Sequence, residues 1–247
     1  MKSPAKSSRS KPRPANAKSD ALRRPFVTVN FATTWDGRVT TRSKTAVDFT
    51  SPDDKQRLLE IRATGDALLV GAGTVAADNM AMGLPSEALR AARVARGQSP
   101  YPLRVILTNS GRLDIKLKVF QKSFSPIVIF STKRMPKTVR DGLRSKAAIH
   151  LEDGFAVDLK RMLATLRREY AVRRVVCEGG PQLFRSMLAE DLVDEIHLTF
   201  CPRIFGSDKA PAITGPAGKY LRASVHCRLR AMKVVGDECF LRYRLVR

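Results

Sequence analysis

Two short apolar runs, each ending in a glycine pair, constrain this chain more than any other feature. Asp66-Ala67-Leu68-Leu69-Val70 leads into Gly71-Ala72-Gly73-Thr74-Val75-Ala76, and Arg174-Val175-Val176-Cys177 leads into Glu178-Gly179-Gly180-Pro181. Apolar runs without polar alternation predict strands buried on both faces, as in a parallel sheet. Glycine directly after such a strand permits a tight turn into a helix and lets another group approach the backbone. The helix start that follows offers unpaired N–H groups and partial positive charge, which suit a phosphate. In one parallel sheet both turns lie at the carboxyl edge, where α/β proteins bind ligands.

The remaining segments extend this pattern. Residues 26–32 alternate apolar and polar side chains as a strand, Asp36-Gly37 is a turn, and residues 38–41 are extended. Ser51 reads as a helix N-cap, with Pro52 at the first position, Asp53 and Asp54 in the first turn and Gly65 at the stop. Residues 83–100 read as a helical insertion or a mobile loop, with Arg90, Arg93 and Arg96 recurring every third position. Strands are predicted at 104–107, 127–130, near Ile149, at 194–200 and, briefly, at 202–206, with helices after Met135 and over 159–170. The end is a hairpin, 225–235 with 238–246, turning at Gly236-Asp237. The expected fold is α/β: a mostly parallel central sheet, an antiparallel C-terminal hairpin, and helices on both faces. One domain is expected from residue 25 to 247.

The net charge of +22 raises the question of nucleic acid, and its distribution answers it. Residues 1–24 carry eight basic groups against Asp20, so this tail contributes +7 and the body +15. Rich in Ser, Pro and Ala, the tail is expected to be disordered and is read as a solubilising extension; a targeting peptide is the alternative. No aromatics interleave with the basic residues of the body, so nucleic acid is an unlikely partner and anionic small molecules fit the charge as well. No membrane-spanning run occurs. Cys177, Cys201, Cys227 and Cys239 form no C-x-x-C pair, and all but Cys239 lie in or beside apolar strand-like runs. Reduced thiols in a cytoplasmic protein follow, with no metal site. His150, His197 and His226 lie in strand-like runs and read as packed or edge residues.

Gly71 to Ala76 fits the loose dinucleotide pattern G-x-G-x-x-A, although a plain strand–helix turn would look the same. A Rossmann unit would need an acid about 20 residues on. That position falls in Leu89-Arg90-Ala91-Ala92-Arg93, so the Rossmann reading is rejected while phosphate binding stands. A third polar turn, Thr108-Asn109-Ser110-Gly111-Arg112, offers hydroxyl, amide and guanidinium donors suited to a 2′-phosphate, which would favour NADPH over NADH, although a plain hydrophilic loop would look the same.

In order, several stretches resemble the riboflavin-biosynthesis pyrimidine reductase family, itself similar to dihydrofolate reductase. They are Val29-Asn30-Phe31-Ala32-Thr33-Thr34-Trp35-Asp36-Gly37-Arg38, Phe49-Thr50-Ser51, Arg62-Ala63, residues 66–75, Ala77-Asp78-Asn79, residues 102–107, Cys177-Glu178-Gly179-Gly180 and Pro202-Arg203-Ile204-Phe205-Gly206. The resemblance covers residues 25–245. It implies NADPH as hydride donor and a phosphorylated ribosylaminopyrimidine as substrate, reduced at C1′ of the ring-opened sugar to the ribitylamino form, in a homodimer. It implies that Gly71, Gly73, Thr74, Thr108, Asn109, Ser110, Gly179 and Gly180 hold NADPH. Asn30, Asp36, Thr50, Ser51, Arg62 and Glu178 are implied on the substrate side, with Asp78 as the catalytic carboxylate nearest the reacting ribose. The chain departs from the family at Asn30, where many members carry lysine, at Trp35, and at Met80, where proline is usual. The arginine expected for the substrate phosphate is missing, and Arg90, Arg93 or Arg96 are candidates to replace it. The deaminase motifs H-x-E and P-C-x-x-C do not occur. Two rival readings remain: the same fold and cofactor with a pterin or carbonyl substrate, and a non-catalytic nucleotide- or RNA-binding protein.

Overall fold

The computed structural model describes residues 24–40, 49–206, 210–215 and 221–246. The expected basic tail, apart from Arg24, and Thr41 lie outside the described residues. Arg24 is already part of the fold: its guanidinium bonds both carboxylate oxygens of Asp194, at 2.7 and 3.0 Å.

In chain order the elements are β1 (Phe26–Thr33), α1 (Pro52–Thr64), β2 (Ala67–Gly71), α2 (Ala72–Asp78), α3 (Glu87–Ala95) and β3 (Leu103–Thr108). Next come α4 (Lys118–Gln121), β4 (Ile127–Thr132), α5 (Lys137–Leu143), β5 (Ala148–Glu152) and α6 (Leu159–Glu169). The chain closes with β6 (Arg174–Cys177), α7 (Pro181–Ala189), β7 (Glu195–Phe200), β8 (Cys227–Val235) and β9 (Glu238–Leu245). The strands form one sheet in the order β5-β4-β3-β2-β6-β1-β7-β9-β8. Pairings from β5 to β7 are parallel, and β9 pairs antiparallel with β7 and β8.

Alternate residues of the buried strands serve two cores. Ala67 and Leu69 of β2 face α6 and α7, packing with Val29, Val175, Leu163, Phe184 and Met187. Leu68 and Val70 face the other layer, packing with Ile61 of α1, Val75 of α2, Phe120 of α4 and Leu143 of α5. The two-sided α/β sheet with its antiparallel hairpin is therefore the fold expected from the sequence. Ser51 caps α1 as expected, its Oγ accepting from the Asp54 amide at 3.1 Å.

Two expectations need correction. The short strand expected over 202–206 is irregular chain. Pro202 has no amide to give a ladder, and the Phe205 and Gly206 amides donate instead to the Asp36 carboxylate, at 3.2 and 2.8 Å. The arginines of the insertion serve structure: Arg93, 1% exposed, donates to Ala63 O, Gly65 O and Ser99 O. Arg96 donates to Ala63 O, and Arg90 to Leu84 O and Pro85 O. Cations bonded to the last carbonyls of α1 cap it and complement its dipole.

Candidate active site

Strands β2, β6 and β1 are neighbours, so their carboxyl ends place three chain segments side by side. The two glycine turns touch: the Gly71 amide donates to Gly179 O at 3.4 Å and the Glu178 amide to Leu69 O at 3.0 Å. Gly179 has φ +121°, a conformation open to glycine. A Cβ on Gly180 would lie 2.9 Å from Thr74 Oγ1, so a side chain there would require the Thr74 hydroxyl to shift. Gly73 is exposed within the first turn of α2, and a Cβ there would meet nothing within 4 Å.

Beside these turns is a pocket of about 340 Å³. Asn30 of β1, Thr50, Gly73, Thr74, Asp78, Met80, Glu178, Gly179 and Gly180 line it, and α1 contributes Asp54, Leu58 and Arg62. Residues 54, 58 and 62 are spaced by four and share one face of the helix. At its centre Arg62 grips Glu178 in a two-pronged ion pair, Nε to Oε1 at 2.6 Å and Nη2 to Oε2 at 2.7 Å. A third donor, Nη1, is fixed on Gly83 O at 3.0 Å. This bidentate geometry holds both side chains in place. Asp78 ends α2 alongside them. Burial pushes its carboxyl above the ordinary carboxylate range, Arg62 opposes that rise, and the charge of Glu178 adds to it.

Of the expected substrate-side residues the pocket therefore gathers Asn30, Thr50, Arg62 and Glu178, with Asp78. It does not gather Asp36 or Ser51. Asp36 accepts from Thr34 Oγ1 at 2.5 Å and from the two loop amides, bonds that hold its carboxyl down at about 2. Ser51 donates from Oγ to Glu238 Oε2 at 2.5 Å. Among the expected cofactor residues, Gly71 lies at the turn just outside the lining, while Thr108, Asn109 and Ser110 follow β3 on the far side of β2. Thr108 Oγ1 accepts from the Gly111 amide at 3.1 Å, and Asn109 Oδ1 from the Val157 amide at 3.1 Å. Trp35 is 75% exposed and absent from the lining, whereas Met80 is part of it. Asp54 is the site residue that the sequence reading passed over, having explained it as a first-turn acid; the i, i+4, i+8 relation to Leu58 and Arg62 was the available signal. Among the described residues no three His, Cys, Asp or Glu side chains gather as a metal site.

A mostly parallel sheet with paired glycine turns and a buried ion pair at its carboxyl edge is that of an α/β protein that binds its ligand at this edge. The sequence model of the RibD C-terminal domain family matches residues 25–241. The chain belongs to that family. It is 29% identical over 214 residues to the 2,5-diamino-6-ribosylamino-4(3H)-pyrimidinone 5′-phosphate reductase of Archaeoglobus fulgidus, covering 87% of this chain and 95% of the relative. The reductase of the same name from Aquifex aeolicus is 27% identical over 231 residues, covering 91% and 98%. Among solved structures, a pyrimidine reductase-like protein from Corynebacterium diphtheriae superposes with a TM-score of 0.77 at 19% identity, covering 92% of this chain and 94% of the other. Acinetobacter baumannii RibD superposes at 0.74 with 22% identity, covering 91% of this chain and 59% of the other, a longer chain. The fold and family expected from the sequence are thus borne out.

Proposed function

We propose that this chain is an NADPH-dependent oxidoreductase that converts a 5′-phosphorylated ribosylaminopyrimidine to its ribitylamino form in riboflavin biosynthesis. One observation carries the reading: the Arg62–Glu178–Asp78 group shares a pocket with Gly73, Thr74, Gly179 and Gly180. A cluster able to handle protons thus faces a turn pair able to hold phosphates. The names of the two full-length relatives support the same substrate.

The residues present fit a dinucleotide. Open space beside Gly73, the positive φ of Gly179 and the start of α7 after Gly180 allow close backbone approach of a pyrophosphate. Thr108, Asn109 and Ser110 are assigned to the 2′-phosphate; Asn109 is exposed, and its amide NH₂ can donate while Oδ1 holds Val157. When bound, NADPH supplies the hydride that adds to C1′ of the ring-opened sugar imine, and the imine nitrogen takes up a proton. We assign the relay of that proton to Asp78, since a carboxyl raised by burial is better matched to transfer near neutral pH than a free one. Arg62 and Glu178 fix the wall against which the ribose is held, with Asn30 and Thr50 nearby. Asp36 and Ser51 act by securing the loops that frame the pocket. We further propose a cytoplasmic homodimer: the four cysteines are free thiols, and among the described residues no helix is long and apolar enough to cross a membrane.

The test is NADPH oxidation by the purified protein with the ribosylaminopyrimidine phosphate, wild type against Asp78→Ala. Substrate-dependent oxidation, lowered on the order of 10²-fold or more in kcat by the substitution, is the expected outcome. Absence of NADPH binding would overturn the reading.

A further inference from the structure

The amino edge of the sheet, opposite the pocket described above, carries a second cleft of about 1480 Å³. The segments that enter β2, β3, β4 and β6 line it, together with His197 of β7 and Arg242 of β9. The five residues of β2 separate the two edges by about 16 Å, at roughly 3.3 Å per residue. Small-molecule pockets span roughly 300–1,000 Å³, so this cleft suits a longer ligand. Its charge gives the ligand's sign. Arg93, Arg96, Arg173, Arg174 and Arg242 line it against two acids, and both acids are engaged. Asp66 accepts from Gln98 Nε2 at 2.8 Å and from the Arg173 and Arg174 amides at 2.9 Å, and Glu195 bonds His197 at 2.9 Å. Arg93 is spent on carbonyls. Arg173 and Arg242 are exposed, and neither guanidinium has a hydrogen-bond or ion-pair partner among the described residues.

Along the chain no aromatics interleave with the basic residues, the pattern that speaks against nucleic acid; in the fold they do. Arg174 and Arg244 lie over the Phe26 ring, at 4.6 and 4.4 Å, Arg104 over Phe124 at 4.4 Å and Arg90 over Tyr101 at 5.4 Å. Tyr101 and Phe124, with ring centroids 4.7 Å apart, line the cleft with Tyr170. Residues 1–24 carry a charge of +7 and join the body at this edge, where the Phe26 amide donates to Arg173 O at 2.8 Å. A basic tail is no partner for a basic cleft, so both call for an anion. We propose that the cleft binds single-stranded nucleic acid, its phosphates on Arg173 and Arg242 and its bases stacked among Tyr101, Phe124 and Tyr170. Guanidinium and ring together select a polyanion that carries flat bases, over an acidic peptide. A duplex keeps its bases in its own stack and offers only phosphates. The site is separate from the proposed reductase pocket: the two share no lining residue.

The experiment measures fluorescence anisotropy of labelled oligouridylate and oligothymidylate, each about 12 nucleotides long, with the full-length protein across a salt series. A duplex of the same length and poly-glutamate serve as competitors, and thermal melting checks that each variant is folded. Wild type is expected to bind the single strands with a log–log salt slope of about −3, as for roughly four phosphate contacts. The tighter of the two complexes identifies RNA or DNA as the occupant. Arg173→Glu with Arg242→Glu lowers affinity by about tenfold or more and flattens the slope by about 1.4, two contacts' worth. Tyr101→Ala weakens single-strand binding by about tenfold and leaves the slope unchanged, as loss of stacking requires. Lys137→Glu with Arg140→Glu removes the same charge from exposed positions of α5, which follows the carboxyl end of β4, and costs less than about threefold. Unchanged affinity in Arg173→Glu with Arg242→Glu overturns the inference, and so does an equal loss in the α5 variant, which assigns binding to net charge. Poly-glutamate or duplex bound as tightly as the single strands, or no binding of either strand, also overturns it.

Discussion

Glu178 and Asp78 present two carboxylates to one guanidinium, and the balance among the three sets how Asp78 titrates. Both members of the Arg62–Glu178 pair are buried, with side chains 11% and 4% exposed, so their separation costs more than a surface pair would. Glu178→Gln keeps the shape but removes the charge, leaving Arg62 uncompensated. A loss on the order of 3 kcal/mol in denaturant unfolding is expected, against less than about 1 kcal/mol for a surface pair. The same change moves Asp78 in a defined direction. Burial still raises its carboxyl, but the like charge that adds to the rise is gone and the opposing Arg62 remains. Its pKa therefore falls, and the limb of kcat/KM that declines with rising pH, which a proton donor controls, shifts to lower pH in Glu178→Gln. A pH–rate profile checks this; an unmoved limb assigns it to a group other than Asp78.

At the scale of elements, α1 carries the pocket wall, and its far end is held by the insertion. Arg93 bonds three carbonyls from a fully buried position, two of them at the end of α1. Arg93→Ala removes the donor of the buried Gly65 carbonyl and one of the two donors of Ala63 O, and a loss of about 1–3 kcal/mol is expected. Thermal or denaturant unfolding measures it, and kcat with saturating substrate should remain within about twofold, because Arg93 is absent from the pocket lining. This role was illegible in the sequence. An arginine recurring every third position reads equally as a solvated face or a phosphate clamp, since its partners are backbone carbonyls that leave no sequence mark. The turns of β2 and β6 were legible because glycine and an unbroken apolar run are local signals. Arg62 and Glu178 are 116 residues apart, and their pairing became visible only when the sheet placed β6 beside β2. Asp54 was hidden for the opposite reason: a first-turn acid already has a sufficient local explanation in the helix dipole. The loop at 202–206 misled because its apolar residues look extended, while its amides answer to Asp36 from 169 and 170 residues away.

On the scale of the whole molecule, the sheet ends on one side in a strand that the described chain does not cover. In β8, Leu229, Met232 and Val234 are 48%, 64% and 60% exposed. The register shift between Leu229 and Ala231 adds one residue, so Leu229, Met232 and Val234 stand opposite Tyr243, Leu241 and Cys239 and share one face. That face continues through Leu198 and Ile196 of β7 to Val29 and Phe31 of β1, the surface on which α7 packs. An apolar layer that begins as core and runs out into solvent at an edge strand is the feature an isologous dimer covers. Arg228 and Lys233 on the same strand keep the exposed edge from open-ended strand pairing. The proposed homodimer therefore predicts that Met232→Glu shifts the protein from dimer to monomer in analytical ultracentrifugation, with the melting temperature becoming independent of protein concentration. A dimer of undiminished affinity in that variant would place the interface elsewhere on the molecule, because a charge at the centre of a desolvated apolar face costs several kcal/mol.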